Sequence, residues 1–285
     1  MYSIILLFSA VLPVALLCFF IYSKDHNKEP IGLLIKLFFL GLFSFLPILV
    51  VELMLSFIFN SDGVDSFILI FIFTFFGVAL VEEVFKWIIV RFFGYNSKEF
   101  DEVYDIIVYS VFVSLGFACI ENIGYVFQYG LGNAFVRAIL SIPGHMYFAV
   151  IMGFFLSKAK VASFNDNDRL YRKNIIYSIL FPSLFHTTYD ALLFYYGNVD
   201  NGAVYLLFLL FHFASVAICI YTVFLTAGVQ YNITTKVKEG VLFLDDGGHV
   251  VVKSVDGVVI PNFCPICGRK SSGGNFCAGC GHKFK

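Results

Sequence analysis

Seven stretches of this 285-residue chain, about 2–22, 31–55, 67–90, 105–129, 134–157, 173–196 and 203–227, are long runs of almost unbroken apolar residues. About 20 such residues, wound as a helix, cross the roughly 30 Å of hydrocarbon in a bilayer. The runs therefore predict an all-α polytopic membrane protein with about seven transmembrane helices. Composition agrees: 14% of the residues are charged, where a soluble domain carries roughly 25%. A net charge of -1 supplies no global field for binding nucleic acid, and none is expected as a partner. The first run has no basic segment before it and no clear small-x-small site before Tyr22, so it reads as a retained helix, not a signal peptide.

The connecting segments alternate in charge. Lys24 and Lys28, then Arg91 and Lys98, then Lys158, Lys160, Arg169 and Arg172, then Lys236 and Lys238 fall in every second connection. Segments 56–66, 130–133 and 197–202 hold no Lys or Arg. The positive-inside rule then places the N-terminus outside and the C-terminus in the cytosol, and an odd number of spans agrees in putting the two ends on opposite sides.

Charges inside the spans are the unusual feature. Lys36, Glu52 and Arg137 lie near span ends and are expected to snorkel or sit at the interface. Others are deeper. At 1.5 Å per residue, Glu82 and Glu83 lie about 12 to 14 Å from the cytosolic face, His145 about 18 Å, His186 about 20 Å and Glu121 about 24 Å. Asp190 is one turn beyond His186. Ionisable groups at such depth are costly and point to function; four helices carrying them in one depth band predict one polar site inside the bundle. Glu82 and Lys86 are four residues apart and share a helix face, as do His186 and Asp190. Lys86 can neutralise one glutamate and leave the other to face elsewhere. A purely structural Glu82–Lys86 pair, a histidine capping a neighbour, and an ion or proton path are the alternative readings of the same residues. Cys18, Cys119 and Cys219, alone in apolar runs, read as packing residues.

Breaks in the apolar pattern fall beside these charges. Gly116 and Gly124 flank Glu121–Asn122, and small residues permit close helix approach. Pro143, just before Gly144–His145, frees a backbone carbonyl and predicts a kink; Pro182, one turn before His186, weakens the ladder there. Irregular backbone at this depth suits a wet cavity, and hydrolysis in a membrane needs one.

Taken together, E-E-V-F-K at 82–86, F-A-C-I-E-N at 117–122, P-G-H at 143–145 and H-T-T-Y-D at 186–190 resemble the PrsW family of bacterial intramembrane proteases. That family is similar, more distantly, to the CAAX prenyl endopeptidases and bacteriocin-processing membrane proteases. The resemblance covers roughly residues 30–227. It implies Glu82 and Glu83 as the glutamate motif, Glu121 (with Phe117 before it) as the second motif, then His145 and His186. Where the CAAX enzymes end their second motif in histidine, this chain has Glu121, and where they tend to have asparagine it has Asp190. The implied activity is cleavage of a membrane-embedded protein in the bacterial cell membrane, with an anti-sigma factor as the substrate of the best-described member. The substrate would be a single-span protein, or a membrane-associated peptide.

Peptide hydrolysis needs a base for water and a donor facing the oxyanion. Glu82 is the preferred base over Glu83, by resemblance. His145 and His186 are expected to position water or polarise the carbonyl, Glu121 and Asp190 to hold the imidazoles, and Asn122 to donate to the oxyanion. H-E-x-x-H is absent, so this is no ordinary zincin; a catalytic metal and metal-free chemistry both stay open. The rival classes are a transporter or channel with a buried ion site, which internal repeats would favour, and a membrane sensor or scaffold.

From 228 the character changes. Residues 240–260 read as short strands with D-G turns. C-P-I-C-G and C-A-G-C-G then place Cys264, Cys267, Cys277 and Cys280 in two C-x-x-C pairs, the pattern of a Cys₄ ribbon around structural zinc. The expected organisation is a membrane domain (1–227), a linker with short strands (228–260) and a small β/zinc-ribbon module (261–285), which could dock a cytosolic protein partner.

Overall fold

The computed structural model describes residues 1–59, 64–100, 102–164 and 167–228, and the backbone of two strands beyond them. The membrane region is helical: α1 (Tyr2–Lys24), α2 (Ile31–Ser56), α3 (Phe67–Gly94), α4 (Asp105–Tyr129), α5 (Leu131–Ile139), α6 (Ser141–Phe164), α7 (Asp168–Val199) and α8 (Gly202–Gly228). Strands β1 (Gly240–Leu244) and β2 (Val250–Ser254) pair antiparallel, Gly240 opposite Ser254. The four ribbon cysteines lie outside the described residues.

Local chemistry sets the helix boundaries. Pro30 opens α2, its carbonyl taking the N–H groups of Leu33 and Leu34. Gly130, at φ 81°, ends α4 and reverses the chain into α5; a side chain there would be strained. Asn167 caps α7, its side-chain oxygen accepting from the Leu170 N–H at 3.0 Å. Within α3 the regular α pattern is interrupted by two π turns, Phe75–Ala79 and Val90–Gly94.

Helix α4 is the axis of the bundle. From Asp105 to Cys119 nearly every residue is buried, between α1, α2 and α6. Close approach depends on three glycines. A Cβ on Gly41 would strike the Val113 carbonyl, one on Gly116 the Phe38 carbonyl, and one on Gly153 would come within 2.6 Å of the Ile107 Cα. These are backbone atoms with little room to move. Gly116 therefore does what its position predicts. Gly124 does not, since nothing lies within 4 Å of the place its Cβ would take.

Among the described residues, six helical units are long and apolar enough to cross a bilayer: α1, α2, α3, α4, the α5–α6 unit and α8. The expected seventh, α7, is not among them. The 32-residue α7 is long enough but too polar. Its first turns carry Asp168, Arg169, Arg172 and Lys173, and further along Ser178, Ser183, His186 and Thr187 are buried within the bundle. Hydropathy measures suitability for lipid, whereas α7 turns much of its polar side toward protein. The expected fifth span is also two helices, broken at Leu140. Pro143 is the third residue of α6, a first-turn position where a missing N–H is tolerated, so the interruption precedes the proline. Helix α7 continues through Pro182.

Candidate active site

The deep charges of α3, α4, α6 and α7 meet in one network. Glu82 and Glu83 follow the first π turn of α3; π turns are frequent at functional sites. Lys86 is fully buried and bridges both glutamates, 2.8 Å from Glu82 Oε2 and 2.9 Å from Glu83 Oε1. The expectation that it neutralises one and releases the other is thus replaced by a shared ammonium. Its Nζ lies 4.4 Å from the Phe117 ring centroid, a cation–π contact that explains an aromatic residue four positions before Glu121.

Each histidine is held by carboxylates. His145 Nε2 is 2.9 Å from Glu121 Oε2, and its Nδ1 faces Lys86 Nζ at 3.5 Å. His186 Nδ1 is 3.1 Å from Glu83 Oε1, and its Nε2 is 3.2 Å from Asp190 Oδ2. Phe148 stacks on the His186 ring at 4.4 Å, which fixes the plane of the imidazole.

A cavity of about 610 Å³ opens onto this network. Glu82, Glu121, His145, His186 and Asp190 line it together with Glu52 and Arg137. Glu83 and Lys86, both fully buried, do not. The two glutamates therefore occupy different places, Glu82 at the cavity wall and Glu83 behind it.

Three residues depart from their expected positions. Asn122 is fully buried; its amide donates to the Ala10 carbonyl at 2.7 Å and its oxygen accepts from Arg137 Nε at 2.9 Å. That leaves it no place facing an oxyanion. Arg137, expected at the membrane interface, ion-pairs with Glu121 at 2.9 Å. Glu52, expected there too, lines the cavity. The α5–α6 break turns Arg137 inward, which a continuous helix does not suggest.

His212 on α8 was not singled out from the sequence. It donates from Nε2 to the Ile139 carbonyl at 3.1 Å, the acceptor that Pro143 leaves without its usual partner four residues on. The available signal was a histidine flanked on both sides by apolar residues in F-L-L-F-H-F-A. His212→Ala strands this carbonyl and is expected to cost about 1–3 kcal/mol, read as a lower melting midpoint in detergent. His212→Gln, which can still donate, should recover part of it; equal midpoints for wild type and His212→Ala would reject the capping role.

One oxygen or nitrogen each from Glu82, Glu83 and His186 lie within 4.8 Å of one another, and Glu83 Oε2 is buried with no hydrogen-bond partner among the described residues. Two carboxylates and an imidazole form a donor set suited to a divalent ion such as zinc. These residues fit a catalytic metal.

A carboxylate–histidine cluster on a cavity within a bundle of membrane-length helices has the groups that hydrolysis inside the bilayer requires. The chain belongs to the PrsW family of intramembrane metalloproteases, whose family model matches residues 29–218. It is 40% identical over 188 residues to Protease PrsW of Oceanobacillus iheyensis, covering 66% of this chain and 82% of that one. It is 37% identical over 180 residues to Protease PrsW of Bacillus subtilis (63% and 78%), and 36% identical over 189 residues to Protease PrsW of Clostridioides difficile (65% and 77%). No solved structure matches the chain.

Proposed function

We propose that this protease cleaves a single-span membrane protein, or a membrane-associated peptide, in the bacterial cell membrane, with Glu82 as the base. One observation carries the assignment. Glu82 accepts from Lys86 at Oε2 and lines the cavity, whereas Glu83 is committed to Lys86 and His186 behind it. Glu82 Oε1 takes a proton from water as the water oxygen attacks the scissile carbonyl, and then passes that proton to the leaving amine. Lys86 keeps Glu82 aimed. His145 and His186, at the cavity wall, position the water through the carboxylates they hold: His145 lies between Glu121 and Lys86, and His186 between Glu83 and Asp190. Glu83, His186 and one oxygen of Glu82 would hold a divalent ion, which when bound polarises the carbonyl and activates water.

Helix α7 completes seven crossings in this reading, with the N-terminus outside and the C-terminus in the cytosol, as the basic connections require. An anti-sigma factor or another regulatory protein is the natural substrate class. The test is purified protein in vesicles with a library of single-span peptides, cleavage being read by mass spectrometry. Products that vanish in Glu82→Gln and in His186→Ala support the site, while cleavage retained in both rejects it. Loss on chelation, with recovery on added zinc, supports the metal.

The four tail cysteines, Cys264, Cys267, Cys277 and Cys280, are proposed to hold a structural zinc on a cytosolic module that docks a protein partner. Cys264→Ser with Cys277→Ser should remove one bound zinc per chain by elemental analysis. An unchanged zinc content would refute the ribbon.

A further inference from the structure

The cavity holds one carboxylate that the mechanism does not use. Glu82 pairs with Lys86, Glu121 with Arg137 and His145, and Asp190 with His186, all at 3.2 Å or less. Glu52 lines the same cavity, and its Oε1 is buried without a hydrogen-bond partner among the described residues. It lies near the end of α2, where a second cavity of about 220 Å³ adjoins the first. Leu49, Glu52 and Val78 line both. The smaller cavity runs between α2 and the first π turn of α3, with Leu53, Phe59 and Gly77 completing its mainly apolar wall. Glu52 thus stands at the neck between an apolar crevice and the catalytic cavity.

We propose that Glu52 is a specificity-determining residue, pairing with a lysine or arginine of the substrate on the α2–α3 side of the scissile bond. The inference rests on the protease reading above. A charge held inside a bundle without a counter-charge is unfavourable, and among the described residues no cation lies within ion-pair distance of Glu52. A basic side chain within a membrane segment has the opposite problem, so pairing relieves both. The apolar walls beside Glu52 suit the methylene stem of such a side chain, whose charged tip would reach the carboxylate. A backbone N–H of an unwound substrate satisfies a hydrogen bond but leaves the charge uncompensated.

The test uses the full chain in phosphatidylcholine–phosphatidylglycerol vesicles. The probes are leucine–alanine single-span peptides with one lysine, or norleucine in its place, stepped through the central positions. In wild type, lysine at one register should raise kcat/KM about tenfold over norleucine. Glu52→Gln should bring that ratio near one, and Glu52→Lys should shift the preference to a glutamate peptide. No register favouring lysine, or a ratio surviving Glu52→Gln, overturns the proposal. Binding of fluorescent versions to Glu82→Gln protein, with and without Glu52→Gln, needs no turnover. A lysine-dependent affinity that Glu52→Gln removes supports the pairing even where wild type cuts none of the peptides, which would instead count against the protease reading. Equal affinities overturn the pairing.

Discussion

Glu82→Gln is expected to lower kcat/KM on a cleaved single-span peptide by about 10²–10⁴-fold, the usual contribution of a positioned base, with the fold intact. Glutamine keeps the shape and the oxygen but cannot take the proton. Lys86 keeps Glu83 as its counter-charge at 2.9 Å, so no buried cation is stranded. Single-turnover cleavage alongside a thermal melt separates the two effects. Activity within tenfold of wild type at an unchanged midpoint would remove Glu82 from the base role. Glu83→Gln makes the contrast: it loosens both Lys86 and His186, so activity and midpoint should fall together.

Lys86→Met is expected to be the most damaging single change to stability. The side chain is fully buried and touches both glutamates. Removing it leaves two adjacent carboxylates inside the bundle without their ammonium, and breaking a buried pair this way costs about 3–5 kcal/mol. Denaturation in mixed micelles measures the loss. The triple variant Glu82→Gln, Glu83→Gln, Lys86→Met should recover most of the stability and none of the activity, because neutral groups of similar shape carry no unpaired charge. A triple variant as unstable as Lys86→Met would mean that the lysine stem and its contact with Phe117 matter more than its charge.

Much of this was legible from hydrophobic length and from where charge interrupts it. The fourth span was expected at 105–129, and α4 occupies those residues. The deep charges of four helices do meet, because lipid leaves such groups few places other than each other. The rest depended on geometry that a linear pattern does not carry. Arg137 and Glu52 sit near span ends, where an interfacial place costs little, yet both line the cavity. Asn122 looked like a donor for substrate because its partner, a main-chain oxygen on α1, has no side-chain signature. Helix α7 was counted by its length, but its polar face belongs to the protein interior. His212 had no neighbour in sequence to explain it; its partner is 73 residues away.

The hydrogen bond from Asn122 to the Ala10 carbonyl extends the working unit beyond the region of family likeness, which begins at residue 29. What α1 supplies there is a piece of main chain, which many side chains could present equally well. Its identity can drift while its position cannot: Ala10 is fully buried, so bulk is forbidden where chemistry is not prescribed. A helix of this kind is constrained as a surface, and its part in holding Arg137, and through it Glu121 and His145, goes unseen by any comparison that scores residues one letter at a time.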